Sequence, residues 1–138
     1  MEMTIDKSIL IWEYLRPILE NSEELTSYVN KNYIFQLAAL EGTPFPYIIL
    51  RRDSLIPEYS KHMPGFVGIV NNVSLSVSVY SDNYNETIYI ANIVRNLLEN
   101  YSYENNDIKI YHIELSSINE YFSNNAFEQR LNFNMTVE

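Results

Sequence analysis

The stretch from Asn72 to Leu98 constrains the fold most, because it joins two different periodicities across one short turn. From Val73 to Tyr80, aliphatic residues alternate with serines, as expected for a strand with one buried and one exposed face. From Asn83 onward, apolar residues recur every three to four positions, which is typical of an amphipathic helix. Asn83 is a suitable N-cap, and Glu86 lies where a capping-box carboxylate reaches back. We therefore predict a strand followed directly by a helix at about 84–99.

The first twenty residues predict another helix, which has an unusually wide apolar face. Asp6 is a candidate N-cap, and Pro17 is expected to kink or end the helix before Glu20. Trp12 lies within the apolar face, which spans more than half of the helix circumference. This width permits two interpretations, a helix sunk in its own core or a helix that also contacts a neighbouring subunit. A short second helix is expected to begin at Asn21.

Several other segments carry strand signals, and together they predict the fold class. They are residues 33–35, 47–50, 108–115 with a bulge near Ile110, and 127–137. Ser74, Ser76 and Ser78 are expected on the outer face of the sheet. The predicted fold is α+β, a two-layer sandwich in which a mostly antiparallel β-sheet is packed on one face by the N-terminal helix and the central helix. We expect residues 1–138 to form a single domain.

A long segment near 53–65 is expected to be a β-arm or a loop, because it contains two prolines and is too long for a tight hairpin. Exposed loops seldom carry several large apolar groups, so we favour a segment ordered against a partner over one folded onto its own domain. The apolar residues that make this segment a candidate subunit interface are Leu55, Ile56, Tyr59, Met63 and Phe66.

The composition excludes several classes of function. The chain has no cysteine, which removes disulfides and zinc-thiolate sites. Nine basic and eighteen acidic residues give a net charge of −9, the wrong sign for stable nucleic-acid binding. The N-terminus carries acid where a signal peptide has basic residues, and no apolar run is long enough to cross a membrane. We therefore expect no membrane association.

No pattern in the sequence indicates catalysis. The three glycines are not in phosphate-binding spacing, and no serine lies in a nucleophile elbow. His112 and Glu114 share one side of a predicted strand and could approach a metal, although a surface pair of this kind is far commoner. The sequence predicts no enzyme, no cofactor and no metal site.

Tyrosine is the most unusual feature of the composition, with twelve in the chain. An AT-rich genome explains most of this excess. Tyrosine is nevertheless favoured at protein interfaces, where its flat ring provides contact area at a small entropic cost. Tyr89 stands alone on the polar face of the central helix and, with Trp12, is a further candidate interface residue.

The ordered pattern of the whole chain resembles the tail terminator family of tailed bacteriophages, also described as tail-completion or head-to-tail joining proteins. The resemblance rests on the opening amphipathic helix with Leu15, on Pro46-Tyr47-Ile48-Ile49, and on Val77-Ser78-Val79-Tyr80-Ser81-Asp82 followed by a helix that ends Val94-Arg95-Asn96-Leu97-Leu98. It also rests on the final run from Phe127 to Met135. The family has strand and helix patterns in common and no catalytic signature.

The resemblance implies a structural virion protein assembled in the bacterial host cytoplasm. It implies a ring, usually a homo-hexamer, that caps the tail tube, terminates tail growth and joins the tail to the head connector. The expected partners are other copies of the chain, the tail tube protein and a connector or neck protein, with DNA passing through the ring. Two alternatives stay open: another neck or tail ring protein of the same particle, and a small acidic binding module such as an immunity or adaptor protein.

Overall fold

The computed structural model describes residues 7–58 and 70–138, and in these ranges seven strands form one sheet with helices on one face. A 3-10 turn at Lys7–Leu10 precedes the first helix, and another lies at Lys31–Tyr33. The helices are α1 (Ile11–Glu20), α2 (Glu23–Thr26) and α3 (Tyr84–Leu98). The strands are β1 (Ile34–Gln36), β2 (Tyr47–Glu58), β3 (Val70–Ser81), β4 (Tyr103–Glu104), β5 (Lys109–Ile110), β6 (Glu114–Ser123) and β7 (Ala126–Val137).

The sheet has β3 and β7 at its centre. Its strand order is β1-β2-β3-β7-β5-β4, and β6 also pairs with β7. β1 runs parallel to β2, and all other pairs are antiparallel. Because β3 occupies one side of β7, β6 and β5 share the other side. The predicted class, an α+β sandwich with a mostly antiparallel sheet, is confirmed.

The junction between β3 and α3 and the N-cap at Asn83 form as predicted, but the Glu86 carboxylate bonds the hydroxyl of Ser81 and not the backbone N–H of Asn83. The side-chain oxygen of Asn83 accepts a hydrogen bond from the backbone N–H of Glu86 at 3.1 Å. Ser81 adds a contact that the sequence did not reveal: its hydroxyl donates to Glu86 Oε1 at 2.7 Å and accepts from the backbone N–H of Asn83 at 3.1 Å. The N-terminus of α3 is therefore fixed by the side chains of Ser81, Asn83 and Glu86, and these contacts hold α3 against the end of β3.

The core lies between the sheet and helices α1 and α3. One face of β3 contributes Leu75, Val77 and Val79, all of which are buried, and α3 contributes Ile90 and Val94. Each fully buried aliphatic side chain of this kind contributes roughly 1.5–3 kcal/mol to the stability of the fold. The strand predicted at 127–137 is confirmed as β7, and its core-facing side chains are Phe127, which is partly exposed at the end of the strand, Gln129, Leu131, Phe133, Met135 and Val137, which are buried.

The predicted break at Pro17 is wrong, since α1 continues through Pro17 to Glu20. The missing proline N–H removes only one bond, and the carbonyl of Pro17 still accepts from the backbone N–H of Asn21 at 2.9 Å. Leu15 and Leu19 are fully buried on either side and hold both turns in place. The candidate cap Asp6 lies outside the described residues.

The second helix begins one residue later than predicted. Its N-cap is Ser22, whose hydroxyl accepts from the backbone N–H of Leu25 at 3.1 Å, so Asn21 does not cap it. Serine is as good an N-cap as asparagine, and the apolar pattern alone does not separate two adjacent candidates.

The expectation that the serines of β3 lie on an exposed outer face is also wrong for two of the three. Ser76 and Ser78 are buried, at 1% and 0% exposure. Arg51 on β2 donates to the hydroxyl of Ser78 at 3.1 Å, and the hydroxyl of Ser76 donates to Asp53 at 3.3 Å. Long side chains of the neighbouring strand therefore cover the small serines. Ser74 remains partly exposed.

The predicted bulged strand at 108–115 is two strands. β5 ends at Ile110 and β6 begins at Glu114, so the chain leaves the ladder between them. β6 then continues to Ser123 and returns as β7 through Asn124 and Asn125, which have φ angles of 52° and 60°. Two central residues with positive φ form the turn that matches the twist of a β-hairpin. The β6–β7 hairpin is not among the elements predicted from the sequence.

The predicted β-arm is a strand for the part that the structure describes. β2 runs through residues 53–58 and pairs with β3 as far as Glu58 and Val70, with an irregular register between Arg52 and Ser54. Residues 59–65 lie outside the described part of the chain.

Candidate assembly surfaces

Strand β6 forms an exposed edge of the sheet. Among the described residues it pairs with β7 only, so one side of its backbone has no strand partner. Nine of its ten residues are exposed, and Leu115 is partly buried. An unpaired row of backbone N–H and C=O groups is a template for another extended chain.

An aromatic cluster lies at the end of β6, where the hairpin meets the start of α3. The ring centroids of Phe122 and Phe127 are 4.7 Å apart, and Tyr84 contacts Phe127 edge to face at 5.6 Å. These side chains line a shallow cavity of about 250 Å³ together with Glu120, Tyr121 and Gln129. We call this group of six residues the hairpin cluster. Phe122 is 61% exposed, which is unusual for a phenylalanine in a soluble fold.

Polar contacts hold the hairpin cluster in place. The hydroxyl of Tyr84 donates to Glu120, and the side-chain amide of Gln129 donates to Glu120 Oε1 at 3.0 Å. The bond from Tyr84 lowers the pKa of the Glu120 carboxyl, helped by the bond from Gln129. The same bond raises the pKa of the Tyr84 phenol, because it favours the protonated hydroxyl. One carboxylate thus ties α3 to the β6–β7 hairpin.

The opposite face of the hairpin presents a cation over an aromatic ring. The guanidinium of Arg130 lies 4.7 Å from the centroid of Tyr121, and its Nε donates to Glu128 Oε2 at 2.8 Å. The charge of Arg130 is therefore paired with Glu128 while its guanidinium lies over the ring of Tyr121.

A second apolar surface lies on the other side of the molecule, beside β1 and β2. A cavity of about 400 Å³ is lined by Ile9, Leu10, Trp12, Glu13, Arg16, Gln36, Leu37 and Arg52. Arg52 donates to the carbonyl of Ile9 at 2.7 Å, and Arg16 bonds both Glu20 and the carbonyl of Ile34. Ile9 and Leu37 are both exposed. The two arginines therefore join α1 to the sheet edge while apolar side chains remain open beside them.

The structure places the predicted interface residues in three different environments. Trp12 is 5% exposed and packs into the core, and its indole N–H has no acceptor in the described part of the chain. Leu55 is partly buried against the core. Ile56 is 60% exposed on β2, and Tyr89 is exposed on the solvent side of α3. The other three, Tyr59, Met63 and Phe66, lie outside the described residues. The assignment of these residues to an interface stays a prediction.

The residues considered for metal chemistry form an ordinary surface pair. His112 Nε2 lies 3.1 Å from Glu114 Oε1, and both side chains are exposed. Over residues 7–58 and 70–138, no group of three or more potential metal ligands comes together. No helix in the same ranges is long and apolar enough to cross a membrane.

The sequence reading missed the exposed apolar residues of β6, which are Ile118, Tyr121 and Phe122. Two signals could have found them. Asn124-Asn125 is a pair of residues that tolerate positive φ, and such pairs favour a hairpin turn. Ile118, Glu120 and Phe122 alternate with Asn119 and Tyr121, which is weak strand periodicity in an otherwise polar stretch.

The described part of the chain is an α+β sandwich with exposed apolar side chains along β6 and beside β1 and β2. Among solved structures, the fold is similar to a chain in the virion of a native gene transfer agent particle, with a TM-score of 0.74, 14% identity and coverage of 90% of this chain and 91% of that chain. A second solved structure, whose description states no function, gives a TM-score of 0.67 at 11% identity and covers 99% of this chain and 97% of that one. A search of curated proteins found no match.

The family comparison makes the class specific. The description "Tail completion protein gp17" matches residues 13–138, and the chain belongs to that family. The resemblance to phage tail-completion proteins is thereby confirmed. The protein is a structural component of a phage-type tail and works in contact with other components of the particle.

Proposed function

We propose that the chain is the subunit of a ring, a homo-hexamer, that caps the tail tube, terminates tail growth and joins the tail to the head connector. Membership of the tail completion family over residues 13–138 is the observation that carries this proposal. In this proposal residues 1–138 act as one domain, the role is structural and not enzymatic, and assembly takes place in the host cytoplasm before the protein enters the virion.

The distribution of exposed apolar surface supports a ring. A closed ring uses a heterologous interface, so each subunit presents two different surfaces. β6 with the hairpin cluster lies at one edge of the sheet, and the cavity beside β1 and β2 lies at the other. Opposite edges are where a head-to-tail contact needs its two partner surfaces. Each contact has to bury roughly 1,000 Å² to persist.

The acidic charge supports passage of DNA without binding. Each subunit carries a net charge of −9, and in this proposal part of the excess acid faces the lumen of the ring. A phosphate backbone is repelled by such a surface, and no counterion release favours its binding. We expect the purified protein not to retard duplex DNA in a gel at physiological salt.

The solution mass tests the ring. Light scattering coupled to gel filtration, over a range of protein concentrations, is expected to give a mass near six times the 16.3 kDa of the chain, or a rise toward it. A strictly monomeric protein at high concentration contradicts the ring and favours an acidic binding module, which would instead bind a basic partner.

The length of tail tubes tests the capping role. Tail tube protein assembled alone is expected to give tubes of variable length, and adding this protein is expected to halt their elongation and place a ring on one end in electron micrographs. A ring that forms but leaves elongation unchanged identifies another neck or tail ring protein of the particle.

Substitutions in the predicted arm test its part in assembly. Tyr59→Asp or Met63→Asp is expected to block ring formation while the far-ultraviolet circular dichroism of the monomer stays unchanged, because a charge in an apolar contact is costly to bury. Unchanged ring formation would contradict the assignment of the arm to an interface.

A further inference from the structure

We propose that the free edge of β6, together with the hairpin cluster, is the docking site for residues 59–69 of a second copy of this chain. This inference rests on the proposed self-association and adds to it the identity of the two contacting segments. The occupant is one named segment, and the site is one strand edge with its adjoining aromatic side chains.

The backbone of β6 favours this use. Its register with β7 is irregular between Leu115 and Ser117, but from Ser117 to Ser123, beside the hairpin cluster, the antiparallel register is regular. The other exposed edge, along the end of β2, is interrupted by Pro57 and by the irregular register between Arg52 and Ser54. Prolines and bulges at an edge oppose strand addition, whereas a regular edge accepts it.

The charges of the two segments are complementary. β6 carries Glu114 and Glu120 and no basic residue. Residues 59–69 carry Lys61 and His62 and no acidic residue. In a chain with twice as many acidic as basic residues, a stretch without acid is a suitable partner for the acidic edge.

The apolar groups of the two segments also match. Ile118, Tyr121 and Phe122 are exposed on β6 at 40%, 46% and 61%. Residues 59–69 contain large apolar side chains at intervals of three to four residues, namely Tyr59, Met63 and Phe66. Aromatic and methionine side chains contribute most strongly to interface cores, so the exposed aromatic side chains of β6 and those of residues 59–69 are suited to one contact.

Geometry requires that the docked segment comes from another copy. β2 ends at Glu58 and β3 begins at Val70, which fixes both ends of residues 59–69, whereas Phe122 pairs with Phe127, which pairs with Ser81 at the other end of β3. At ~3.3 Å per residue, Val70 and Ser81 are about 36 Å apart. A loop anchored at both ends reaches out by half its extended length, about 20 Å here. It therefore cannot cover the hairpin cluster of its own subunit.

Photocrosslinking of the full chain tests the proposal. A benzophenone amino acid is placed at position 122, and isotopically light and heavy copies are mixed before irradiation. We expect crosslinks from position 122 to residues 59–69 that join a light copy to a heavy copy, as read by mass spectrometry. The matched control carries the benzophenone at position 40, where Leu40 is 73% exposed away from β6, and it is expected to give no crosslink to residues 59–69.

The outcomes separate this inference from the proposed function. If the protein is monomeric at every concentration, the ring and this contact both fail. If the protein associates but position 122 crosslinks only elsewhere, or position 40 reaches residues 59–69 equally well, the docking site is wrong and the ring stands.

Two substitutions give an independent measurement. Phe122→Asp and Lys61→Glu are each expected to weaken self-association at least about tenfold, since each removes one element of the match. Leu40→Asp is the control for adding one charge at an exposed apolar position, and it is expected to leave association unchanged. Association of the Phe122→Asp protein at the level of the unsubstituted protein overturns the proposal, provided that circular dichroism shows both to be folded.

Discussion

At the scale of single residues, Trp12 contributes to the stability of the folded subunit because it packs into the core. Its indole is buried while the N–H finds no acceptor among the described residues. A buried unpaired donor costs about 1–3 kcal/mol, and this cost offsets part of the stability gained by burying the indole ring of Trp12.

Two substitutions of Trp12 are therefore expected to distinguish the effect of the indole volume on stability from the effect of its unpaired N–H group. Trp12→Ala is expected to lower the free energy of unfolding by about 3–5 kcal/mol. Trp12→Phe is expected to cost less than about 1.5 kcal/mol, because loss of the unpaired donor compensates for the smaller ring. Urea denaturation at a concentration where the protein is monomeric measures both. Equal losses for the two variants would show that the N–H has a partner.

Glu120 makes the attachment of the β6–β7 hairpin sensitive to pH. Its pKa in the folded chain is below the ordinary value of 4.5, owing first to the bond from Tyr84. A lowered pKa contributes stability above the unfolded-state value, and that contribution is lost as pH falls through the folded-state value. We therefore expect Tyr84→Phe to lower stability at pH 7 and to flatten the decline between pH 7 and pH 3.

Urea titrations at both pH values test this prediction. Tyr89→Phe is the matched control, because Tyr89 is exposed on the same helix and is expected to leave both values unchanged. If the stability of the Tyr84→Phe protein falls as steeply between pH 7 and pH 3 as that of the unsubstituted protein, the bond from Tyr84 to Glu120 does not cause the acid sensitivity.

At the scale of elements, the β6–β7 hairpin depends on its two-residue turn. Asn124 and Asn125 both have positive φ, which costs an ordinary L residue about 1–2 kcal/mol. Asn125→Ala is expected to lower the free energy of unfolding by about 1 kcal/mol, and Asn125→Gly is expected to be neutral or stabilising, because glycine adopts this conformation freely. Thermal denaturation of the two variants measures the difference. If alanine is tolerated as well as glycine, the turn has another conformation in solution.

Elements with strong periodicity could be predicted from the sequence, and elements defined by their neighbours could not. β3, α3 and β7 carry a clear period of 2 or 3.6 and a recognisable cap at Asn83. The burial of Ser76 and Ser78 depends on Arg51 and Asp53 of the adjacent strand, which no local pattern reveals. Most of β6 could not be predicted because it is an exposed edge strand, and the core therefore constrains little of its sequence.

The candidate surfaces likewise include residues with a local sequence signal and residues that come together only in the folded chain. Tyr89 is a candidate because it stands alone on the polar face of a helix, and Ile56 because it belongs to the apolar set of the predicted arm; both are exposed. Trp12 was selected from the width of a helical face, yet a wide face also results when a short helix is enclosed by a sheet and another helix. The hairpin cluster combines residues of α3, β6 and β7, so it exists only after tertiary folding.

At the scale of the whole molecule, assembly and stability are linked. A partner that binds only the folded subunit raises the apparent stability by mass action. The melting temperature is therefore expected to rise with protein concentration for the unsubstituted chain, and in Phe122→Asp the same rise is expected only at about tenfold or more higher concentration. Differential scanning fluorimetry over a hundredfold range of concentration measures this. The same rise over the same concentrations in both proteins would place the stabilising contact away from β6.

The open edge of β6 also bears on how long a free subunit can safely persist. The outer side of β6 has no strand partner among the described residues, so the edge that we propose for ordered contact is also a template for uncontrolled addition of other extended chains. Any component that covers β6 removes this hazard. If β6 docks a second copy as we propose, we expect a subunit without partners to aggregate more readily than one in the assembly.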